Sequence, residues 1–307
     1  MNILVISSNL IGDNILSTGI LRYFLEKHPN SKFTIVLGHS AAALYKNFPN
    51  LEKIIIVEKQ QFNFHWITIW KKCFIKKWDI VIDFRSSLLS YTLLHHKNYV
   101  FKKSNNKHHL EQLVDSFHID FIPYPVIFDN IKEIDNANKI LNSDKKYVVI
   151  APGGNWIPKI WPAEKFNQLL KLLSKQYSYL NFILVGSIAE KEKYFNDGVI
   201  DINKNNIIDL MGETLTQTFA YIKKSNLFIG NDSGLMHLSV ASKITTIGLF
   251  GPTNDKIYAP YGNNCYTLRT NETYHHFTKI IINKNLSYMQ SIEVKEVMDL
   301  IANKRLL

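Results

Sequence analysis

The sequence predicts an α/β protein built from two Rossmann-like, doubly wound domains. Short β-branched runs recur along the chain, and amphipathic helical patterns fall between them. A length of 307 residues exceeds one typical domain of about 150 residues, so we expect two domains. Hydrophobic residues make up 46% and charged residues 20% of the chain, the balance of a globular protein with buried cores.

The first series of alternating elements predicts domain one. Its buried parallel strands are expected at 3–6, 33–37, 54–57 and 79–83. Between the first two strands, the spacing of apolar residues predicts an amphipathic helix that ends before Pro29.

The second series predicts domain two, with strands at 147–150, 182–185, 207–210, 227–229 and 246–250. Helices are expected at 162–176 and 215–224 between these strands. The polar segment 127–146 has the composition of a connector, so we place the domains at 1–145 and 146–307. The C-terminal helix could pack back on domain one.

Charge and cysteine content narrow the partners and the compartment. The net charge of +10 favours anionic partners such as nucleotides, nucleic acid or an anionic membrane surface, although an AT-rich genome would enrich lysine equally well. Cys73 and Cys265 form no disulfide framework, which favours a reducing compartment. The apolar N-terminus lacks a basic segment and Asp13 interrupts it, so it predicts a first strand and not a signal peptide. We expect a cytoplasmic protein.

The loop after the first strand, Ser7-Ser-Asn-Leu-Ile-Gly-Asp-Asn, is the first candidate site. Gly12 permits a tight turn, and Asp13 stands where a helix would begin. An aspartate there is often only a helix cap. The functional alternative is a carboxylate that takes a proton from an attacking hydroxyl. One aspartate leaves both interpretations open.

The second candidate is Ala151-Pro-Gly-Gly-Asn-Trp-Ile-Pro-Lys-Ile-Trp-Pro, directly after the first strand of domain two. Gly153 and Gly154 let backbone amides approach an anion, and Lys159 can supply the opposite charge. Pro162 is expected at the first position of the next helix. The two tryptophans in this segment are each explained by packing alone.

The third candidate is Gly230-Asn-Asp-Ser-Gly-Leu-Met-His-Leu, which joins a strand to a helix. Ser233 and Gly234 would present amides and a hydroxyl at a helix N-terminus, where a diphosphate binds well. Asp232 and His237 lie on the same local turn. The alternative is a capped strand–helix turn with His237 packed on the helix.

Several motifs do not occur in the sequence. It contains no D-x-D triplet, so the metal-binding signature of many metal-dependent nucleotide-sugar transferases is missing. No G-x-G-x-x-G follows a strand, and no G-x-S-x-G occurs.

These three segments, in this order, resemble the heptosyltransferase family, known as glycosyltransferase family 9. The most specific part is the third segment with Gly248-Leu-Phe-Gly-Pro-Thr some ten residues later. Lys107-His-His-Leu-Glu-Gln is similar to the family's His-centred helix start in domain one, and Ile292-Glu-Val-Lys-Glu-Val to its C-terminal helix. The resemblance covers nearly the whole chain.

The resemblance implies a GT-B architecture, with two domains facing a central cleft that closes to assemble the site. It implies an inverting transfer of a heptose or related sugar from an ADP-sugar to a lipopolysaccharide core or other lipid-linked saccharide, and it implies that neither a metal nor another cofactor is needed. Asp13 would be the general base, and Lys159 would support catalysis by holding the diphosphate. The remaining donor-binding residues it implies are Gly153, Gly154, Asn155, Asp232, Ser233, Gly234 and His237. Acceptor binding would involve Gly12, Asn14 and His108.

Three positions depart from the family pattern. Gln112 replaces an arginine after the His-centred start, and Tyr288 replaces a cysteine before the C-terminal helix. These changes leave the identity of the acceptor open. Thr216 falls where some relatives carry an acidic residue for the donor ribose, which leaves the nucleotide and the sugar open.

Two other functions remain alternatives at this point. One is a nucleotide-sugar 2-epimerase of the same architecture. The other is a non-catalytic basic protein that binds RNA or a membrane through the stretch 59–78, where aromatic residues alternate with lysines. No RNP motif is present, so no nucleic-acid partner is expected.

We expect 62–78 to form a helix whose lysines face solvent and an anionic inner membrane. These lysines are Lys71, Lys72, Lys76 and Lys77.

Overall fold

The computed structural model describes residues 1–58, 61–104, 106–195 and 206–307. Contacts divide the chain into two compact units, Met1–Asp129 and Asn130–Leu307. Each unit is a parallel sheet flanked by helices, which confirms the predicted pair of Rossmann-like domains. Among the helices that the structure describes, none is long and apolar enough to span a membrane.

The sheet of the first unit has the order β3-β2-β1-β4-β5, and all of its pairings are parallel. Its strands are β1 (Asn2–Ile6), β2 (Lys32–Gly38), β3 (Leu51–Val57), β4 (Trp78–Asp83) and β5 (His95–Val100). Four of them match the predicted runs. β5 was not predicted, because this edge strand begins His-His-Lys-Asn and has no apolar run.

Helices cover both faces of this sheet. They are α1 (Ile11–Lys27), α2 (His65–Phe74), α3 (Leu89–Thr92) and α4 (His109–Phe117), with 3₁₀ turns at 39–45 and 61–63. Residues of α2 and α3 share one core cluster with β1, β2, β3 and β4, and α1 contacts α4. The helix predicted at 62–78 is α2, which is shorter than expected because it spans only His65–Phe74. Lys59 and Gln60, which open the basic stretch, lie outside the described residues.

The sheet of the second unit has the order β11-β10-β9-β6-β7-β8 and is also parallel throughout. Its strands are β6 (Lys146–Ala151), β7 (Leu180–Leu184), β8 (Ile207–Asp209), β9 (Leu227–Asn231), β10 (Thr245–Phe250) and β11 (Cys265–Arg269). β11 was not predicted. Like β8 at the other edge of the sheet, it consists of half-buried residues.

The helices of the second unit are α5 (Ile131–Ile140), α6 (Ala163–Gln176), α7 (Ile188–Phe195), α8 (Leu215–Lys223), α9 (Gly234–Ser242), α10 (Asp255–Tyr258), α11 (Tyr274–Phe277) and α12 (Val294–Lys304). Pro162 occupies the N-cap of α6 and not its first helical position, so the prediction was one residue early.

The division between the units lies earlier than the predicted boundary at residue 145, because the polar segment contains α5 and α5 packs on α8. The Thr216 hydroxyl donates to the Glu133 carboxylate. The Gln217 side-chain amide donates to the Glu133 carbonyl oxygen at 3.1 Å and accepts from Asn136 at 3.3 Å. These bonds tie α5 to the second unit, so the segment is not a free connector.

The C-terminal helix also differs from the expectation that it packs back on domain one. The buried residues of α12, Val294, Val297 and Ile301, belong to the core cluster of the second unit. The indole Nε1 of Trp161 donates to the Ile292 carbonyl oxygen at 3.0 Å, which fixes the segment that leads into α12. The apolar face of α12 is thus buried on its own unit, mainly against α6.

Each sheet has a point at which the strand order reverses. In the first unit the chain leaves β1 towards β2 and β3 and returns to β4 on the other side. In the second unit the same reversal separates β6 from β9. Loops that leave the carboxyl ends of the two strands at such a point diverge and leave a crevice, where ligands of open α/β sheets bind. The three candidate segments follow β1, β6 and β9.

Candidate active site

Asp13 lies in the first turn of α1, on the loop that leaves β1 at the reversal point of the first sheet. The N-cap of α1 is Leu10, so Asp13 does not cap the helix. The Ser8 hydroxyl donates to Asp13 Oδ2 at 2.8 Å. Asp13 is half-buried, and a carboxylate oriented by one donor retains acceptor capacity for a substrate hydroxyl.

Asn14, predicted to contact the acceptor, is fully buried. Its amide nitrogen donates to the carbonyl oxygens of Ser8 and Leu10, each at 2.7 Å, and its amide oxygen accepts from the Ser7 hydroxyl at 2.7 Å. The Tyr45 hydroxyl donates to the same oxygen at 3.2 Å. The side chain of Asn14 therefore fixes the loop that carries Asp13. Gly12 is half-buried beside it.

His108, predicted to contact the acceptor, lies next to His109 at the start of α4. His108 is the N-cap of α4: its Nδ1 accepts from the Leu110 amide at 3.2 Å, and Glu111 completes a capping box. His109 interacts electrostatically with Asp13. Burial lowers the pKa of His109 to about 4, and the negative charge of Asp13 opposes that shift. His109 is therefore neutral near pH 7.

Gln112, which departs from the family pattern, is buried and organises the segment before α4. Its side-chain oxygen accepts from the Ser104 amide at 2.8 Å, and its nitrogen donates to the Lys107 carbonyl oxygen at 2.7 Å. A glutamine can make both bonds, whereas an arginine has no acceptor. This departure changes how the segment is held as well as its charge.

In the second unit, Lys159 and Asp232 meet at the reversal point of the sheet. Lys159 ends a short 3₁₀ turn after β6, and Asp232 follows β9. The Lys159 ammonium lies 3.4 Å from Asp232 Oδ2, and both side chains are largely buried. The pair brings together two residues that are far apart in the sequence and were each predicted to hold the donor.

Asn231, which the sequence analysis quoted without assigning a role, holds this arrangement together. It is fully buried, and its side-chain nitrogen donates to the carbonyl oxygens of Pro152 at 2.9 Å and Gly153 at 3.0 Å. Its side-chain oxygen accepts from the Trp161 amide at 2.9 Å. One amide thus fixes both ends of the loop that carries Lys159. The sequence offered one signal for a role of Asn231, its position directly before Asp232 in the third candidate segment.

The same hydrogen bonds orient the glycine-rich loop. In a trans peptide the N–H of a residue points away from the preceding carbonyl oxygen, and the chain contains no cis bond among its described residues. Because Asn231 binds the carbonyl groups of Pro152 and Gly153, the N–H groups of Gly153 and Gly154 point away from Asn231. Asn155, next along the loop, is exposed.

Ser233 and Gly234 begin α9. Ser233 is its N-cap, and its hydroxyl makes no capping bond, so the hydroxyl is not used by the helix. The amides of the first turn of an α-helix have no partner within the helix, which makes this end electropositive. His237 lies on α9 with its side chain buried.

Glu190 is a second residue that the sequence analysis did not select. Its carboxylate accepts from the Ser187 amide at 2.6 Å and from the Ser187 hydroxyl at 2.9 Å. A Cβ on Gly153 would lie 2.3 Å from the Glu190 carboxyl carbon, so this acidic side chain lies directly against the glycine loop. No motif brings the two together, because they meet only through the pairing of β6 with β7.

Thr216 and Tyr288 complete the positions that depart from the family pattern. Thr216 bonds to Glu133, so an acidic side chain lies beside this position although the residue itself is neutral. The Tyr288 amide donates to the Pro158 carbonyl oxygen at 3.0 Å, which supports the turn that carries Lys159. Within the described ranges, no group of three or more His, Cys, Asp or Glu side chains could hold a metal ion.

Comparison with known families gives a match over residues 123–286, more than half of the chain, to glycosyltransferase family 9 (heptosyltransferase). The lipooligosaccharide heptosyltransferase 2 of Campylobacter jejuni is 27% identical over 287 residues, covering 86% of this chain and 85% of that protein. The lipopolysaccharide core heptosyltransferase OpsX of Haemophilus influenzae is 22% identical, covering 84% of this chain and 81% of that protein.

Solved structures show the same fold. The glycosyltransferase family 9 protein of Veillonella parvula has a TM-score of 0.79 at 21% identity, covering 98% of this chain and 96% of that one. The ADP-heptose heptosyltransferase II of Escherichia coli has a TM-score of 0.72 at 18% identity, covering 99% of this chain and 100% of that one. The GT-B fold class is confirmed by these similarities. The family match confirms the resemblance seen in the three segments, and the chain belongs to glycosyltransferase family 9 and is a glycosyltransferase.

Proposed function

We propose that this glycosyltransferase moves a heptose from an ADP-activated donor to a lipopolysaccharide- or lipooligosaccharide-type acceptor. The similar proteins from Campylobacter and Haemophilus are named for these acceptors. A structurally similar Escherichia coli heptosyltransferase is described with ADP-2-deoxy-2-fluoro heptose. The observation that carries the proposal is the Lys159–Asp232 pair at the reversal point of the second sheet, beside the glycine-rich loop.

These residues have the chemistry that a nucleoside diphosphate sugar requires. The Lys159 ammonium and the amides of Gly153, Gly154 and the first turn of α9 would hold the diphosphate, because charge-assisted and amide hydrogen bonds suit phosphate oxygens. Asp232 would contact the sugar hydroxyls, and the ion pair with Lys159 would hold the Asp232 carboxylate in position. Asn155 and His237 would make the remaining donor contacts.

Asp13 would be the general base. It takes the proton of the acceptor hydroxyl as the oxygen attacks the anomeric carbon of the heptose. The bond between that carbon and the diphosphate oxygen breaks, and ADP leaves with the electron pair. The same ammonium and amides then stabilise the negative charge that develops on the leaving group. One displacement inverts the anomeric configuration.

The transfer would need no metal ion. Metal-dependent transferases use a divalent cation to neutralise the departing diphosphate, and a D-x-D triplet commonly holds it. The sequence contains no such triplet, while Lys159 and the amides of α9 offer the compensating positive charge.

We also propose that the enzyme works at the cytoplasmic face of the inner membrane, where a lipid-linked acceptor would present its saccharide.

The test is a transfer assay with purified protein, ADP-heptose and a delipidated core oligosaccharide. We expect a glycosylated product whose anomeric configuration, read by NMR, is opposite to that of the donor, and equal rates with and without EDTA. Inhibition by EDTA that added Mg²⁺ reverses would contradict the metal-free mechanism. Retention of configuration would contradict the single displacement.

The assay also separates the transferase from the other interpretations of the sequence. Family membership favours transfer over epimerisation and over a non-catalytic role. An epimerase would convert the donor without any acceptor, and NMR would then detect a 2-epimer. Conversion of the nucleotide sugar at the same rate with and without acceptor, with no glycosylated product, would overturn the proposed function.

A further inference from the structure

Apolar side chains are exposed on the outer side of the layer that α2 and α3 form in the first unit. Phe62 is 87% exposed, Ile75 is 88% exposed and Leu88 is 83% exposed. Five other large apolar residues of the same two segments are also exposed: Phe64, Ile67, Phe74, Tyr91 and Leu94. Single exposed apolar residues are ordinary, but a contiguous set marks an interaction surface.

The two segments belong to one layer, because both pack on the same core cluster of the first unit. Ile69 and Cys73 of α2 share a buried cluster with Leu89 of α3 and with Leu93, which follows it. Trp66 packs against that cluster from α2, and the Arg85 guanidinium, which precedes α3, lies 5.2 Å from the centre of the Trp66 ring. The stretch 62–78 was predicted as a helix by itself, and in the structure α3 packs on the same cluster.

Three unpaired lysines accompany these side chains. Lys71, Lys72 and Lys77 are exposed, and none of them forms an ion pair with another described residue. Lys76, which the sequence analysis grouped with them, instead bonds to Glu52 and lies over the Trp78 ring. Helix α2 carries no acidic residue.

The positive charge continues into a groove of about 290 Å³ between α2 and the edge strand β3. Lys53 and Lys72 line it from the strand and the helix, together with His65 and Thr68, and Glu58 lies at one end of the lining segment. Two lysines against one carboxylate leave the groove with an excess of positive charge, next to the exposed apolar residues.

We propose that this surface, formed by 62–77 and 88–94, docks on an anionic lipid bilayer. The apolar side chains enter the boundary between headgroups and acyl chains, and Lys71, Lys72 and Lys77 contact the headgroup phosphates. The inference deepens the proposed function, because a lipid-anchored acceptor is reached by an enzyme held at the same surface.

Composition distinguishes a bilayer from a protein partner. Lysine is depleted in protein–protein interfaces, whereas lysines beside phenylalanine and leucine are typical of surfaces that lie on membranes. Phe62 gives a separate reason to regard this surface as functional. It is an aromatic residue with a left-handed backbone (φ 53°) and an almost fully exposed side chain, an arrangement that is unfavourable in water and persists where function requires it.

The test is sedimentation of the full chain with vesicles, either of phosphatidylcholine alone or of equal parts phosphatidylcholine and phosphatidylglycerol. We expect binding to the anionic vesicles only, and weaker binding as salt rises. Replacing Lys71, Lys72 and Lys77 together with Gln should lower the partition coefficient by on the order of 100-fold, since each lysine contributes about fivefold. The matched control replaces Lys171, Lys175 and Lys295, three exposed lysines of the second unit, and should bind like wild type.

Two apolar variants test whether α2 and α3 act as one surface. Ile67→Gln with Ile75→Gln changes the first segment, and Leu88→Gln with Leu94→Gln changes the second. All four side chains are exposed, so the core is not altered. Each pair should lower vesicle binding by about tenfold or more. Unchanged binding of the second pair would remove α3 and overturn the two-segment surface.

Other outcomes overturn the proposal as a whole. Absence of wild-type binding to anionic vesicles at low salt would do so, and so would equal binding to both kinds of vesicle. Light scattering without lipid provides a further test: a dimer that the apolar variants dissociate would assign the surface to a second copy of the chain. All variants should retain wild-type turnover on a delipidated acceptor. If the transferase proposal is wrong, wild type will be inactive in that assay. If only the membrane proposal is wrong, wild type will be active there and will not bind anionic vesicles.

Discussion

The Lys159 ammonium lies 3.4 Å from the Asp232 carboxylate and joins the loop after β6 to the loop after β9. Both side chains are largely buried, so each compensates the charge of the other. A diphosphate that enters this site competes with Asp232 for the same ammonium. The pair therefore links donor binding to the position of Asp232.

Replacing Lys159 with Ala should weaken the binding of ADP and of the full donor together, by about 1.5–3 kcal/mol, because a charge-assisted hydrogen bond to phosphate is lost. Isothermal titration calorimetry measures both affinities. Lys171→Ala, at an exposed position on α6, is the control and should bind like wild type. Equal affinities of the Lys159 variant and wild type would exclude this lysine from the donor site.

Asp232→Asn should have the opposite effect on ADP. Removing the carboxylate frees the Lys159 ammonium and removes a repulsive negative charge, so ADP should bind a few-fold more tightly. Transfer from the complete donor should nevertheless become slower, because the contact to the sugar is weakened. Weaker binding of ADP to this variant would mean that the pair supports the shape of the site and does not compete with the ligand.

Asp13→Asn should leave donor affinity nearly unchanged and lower kcat by a factor of about 10² or more, as expected for loss of a general base. Asn can still accept the Ser8 hydrogen bond, so the loop should keep its conformation. Asp120→Asn, an exposed aspartate of the same unit, serves as the control. Turnover of the Asp13 variant within about threefold of wild type would contradict the assignment.

Asn231→Ala should destabilise the second unit by about 2–4 kcal/mol, because two carbonyl oxygens and one amide lose a buried partner. Donor affinity should fall as well, since the loops after β6 and β9 are no longer joined. Urea unfolding and calorimetry provide the two measurements. Asn155→Ala removes an exposed side chain from the same loop and should leave the unfolding midpoint unchanged. A stable Asn231 variant would show that the loop is held by other contacts.

The pKa of His109 should make stability depend on pH. Its pKa is about 4 in the folded protein and 6.5 when unperturbed, so below pH 6.5 the unfolded chain takes up a proton that the folded chain excludes. The free energy of unfolding should therefore fall as pH decreases from 6.5 towards 4, with about 2 kcal/mol lost at pH 5. His109→Gln should remove this part of the pH dependence in urea unfolding, and His96→Gln, at an exposed position, should retain it. An identical pH dependence in wild type and the His109 variant would contradict the assignment.

Most strands of the two sheets could be predicted because buried parallel strands are continuous apolar runs. The exceptions follow from the same physics. β5 carries His95, His96 and Lys97 on an edge, where polar side chains reach solvent, and its pattern does not differ from that of a loop. α5 was interpreted as a connector because its sequence is polar, although Glu133 and Asn136 bond to α8.

The candidate residues show a similar division. The glycine-rich loop, Lys159 and the segment that begins α9 are local patterns, so one sequence suffices to select them. His109 was missed because adjacent residues on a helix point in different directions, and only the start of α4 decides that His108 caps the helix while His109 interacts electrostatically with Asp13. Asn231 was missed because its partners are Pro152, Gly153 and Trp161, all distant in the chain.

The sequence by itself determined the two-domain α/β class, the family and the three loops that carry the chemistry, because these depend on local periodicity and on short motifs. Only the tertiary structure decided which loops meet. The strand orders place β1 beside β4 and β6 beside β9, and pairing between strands distant in sequence leaves no local pattern in the chain. That pairing brings Lys159 to Asp232, and one buried cluster brings α2 and α3 to the same face of the first sheet. Both depend on long-range burial of apolar faces, which no single segment of the sequence records.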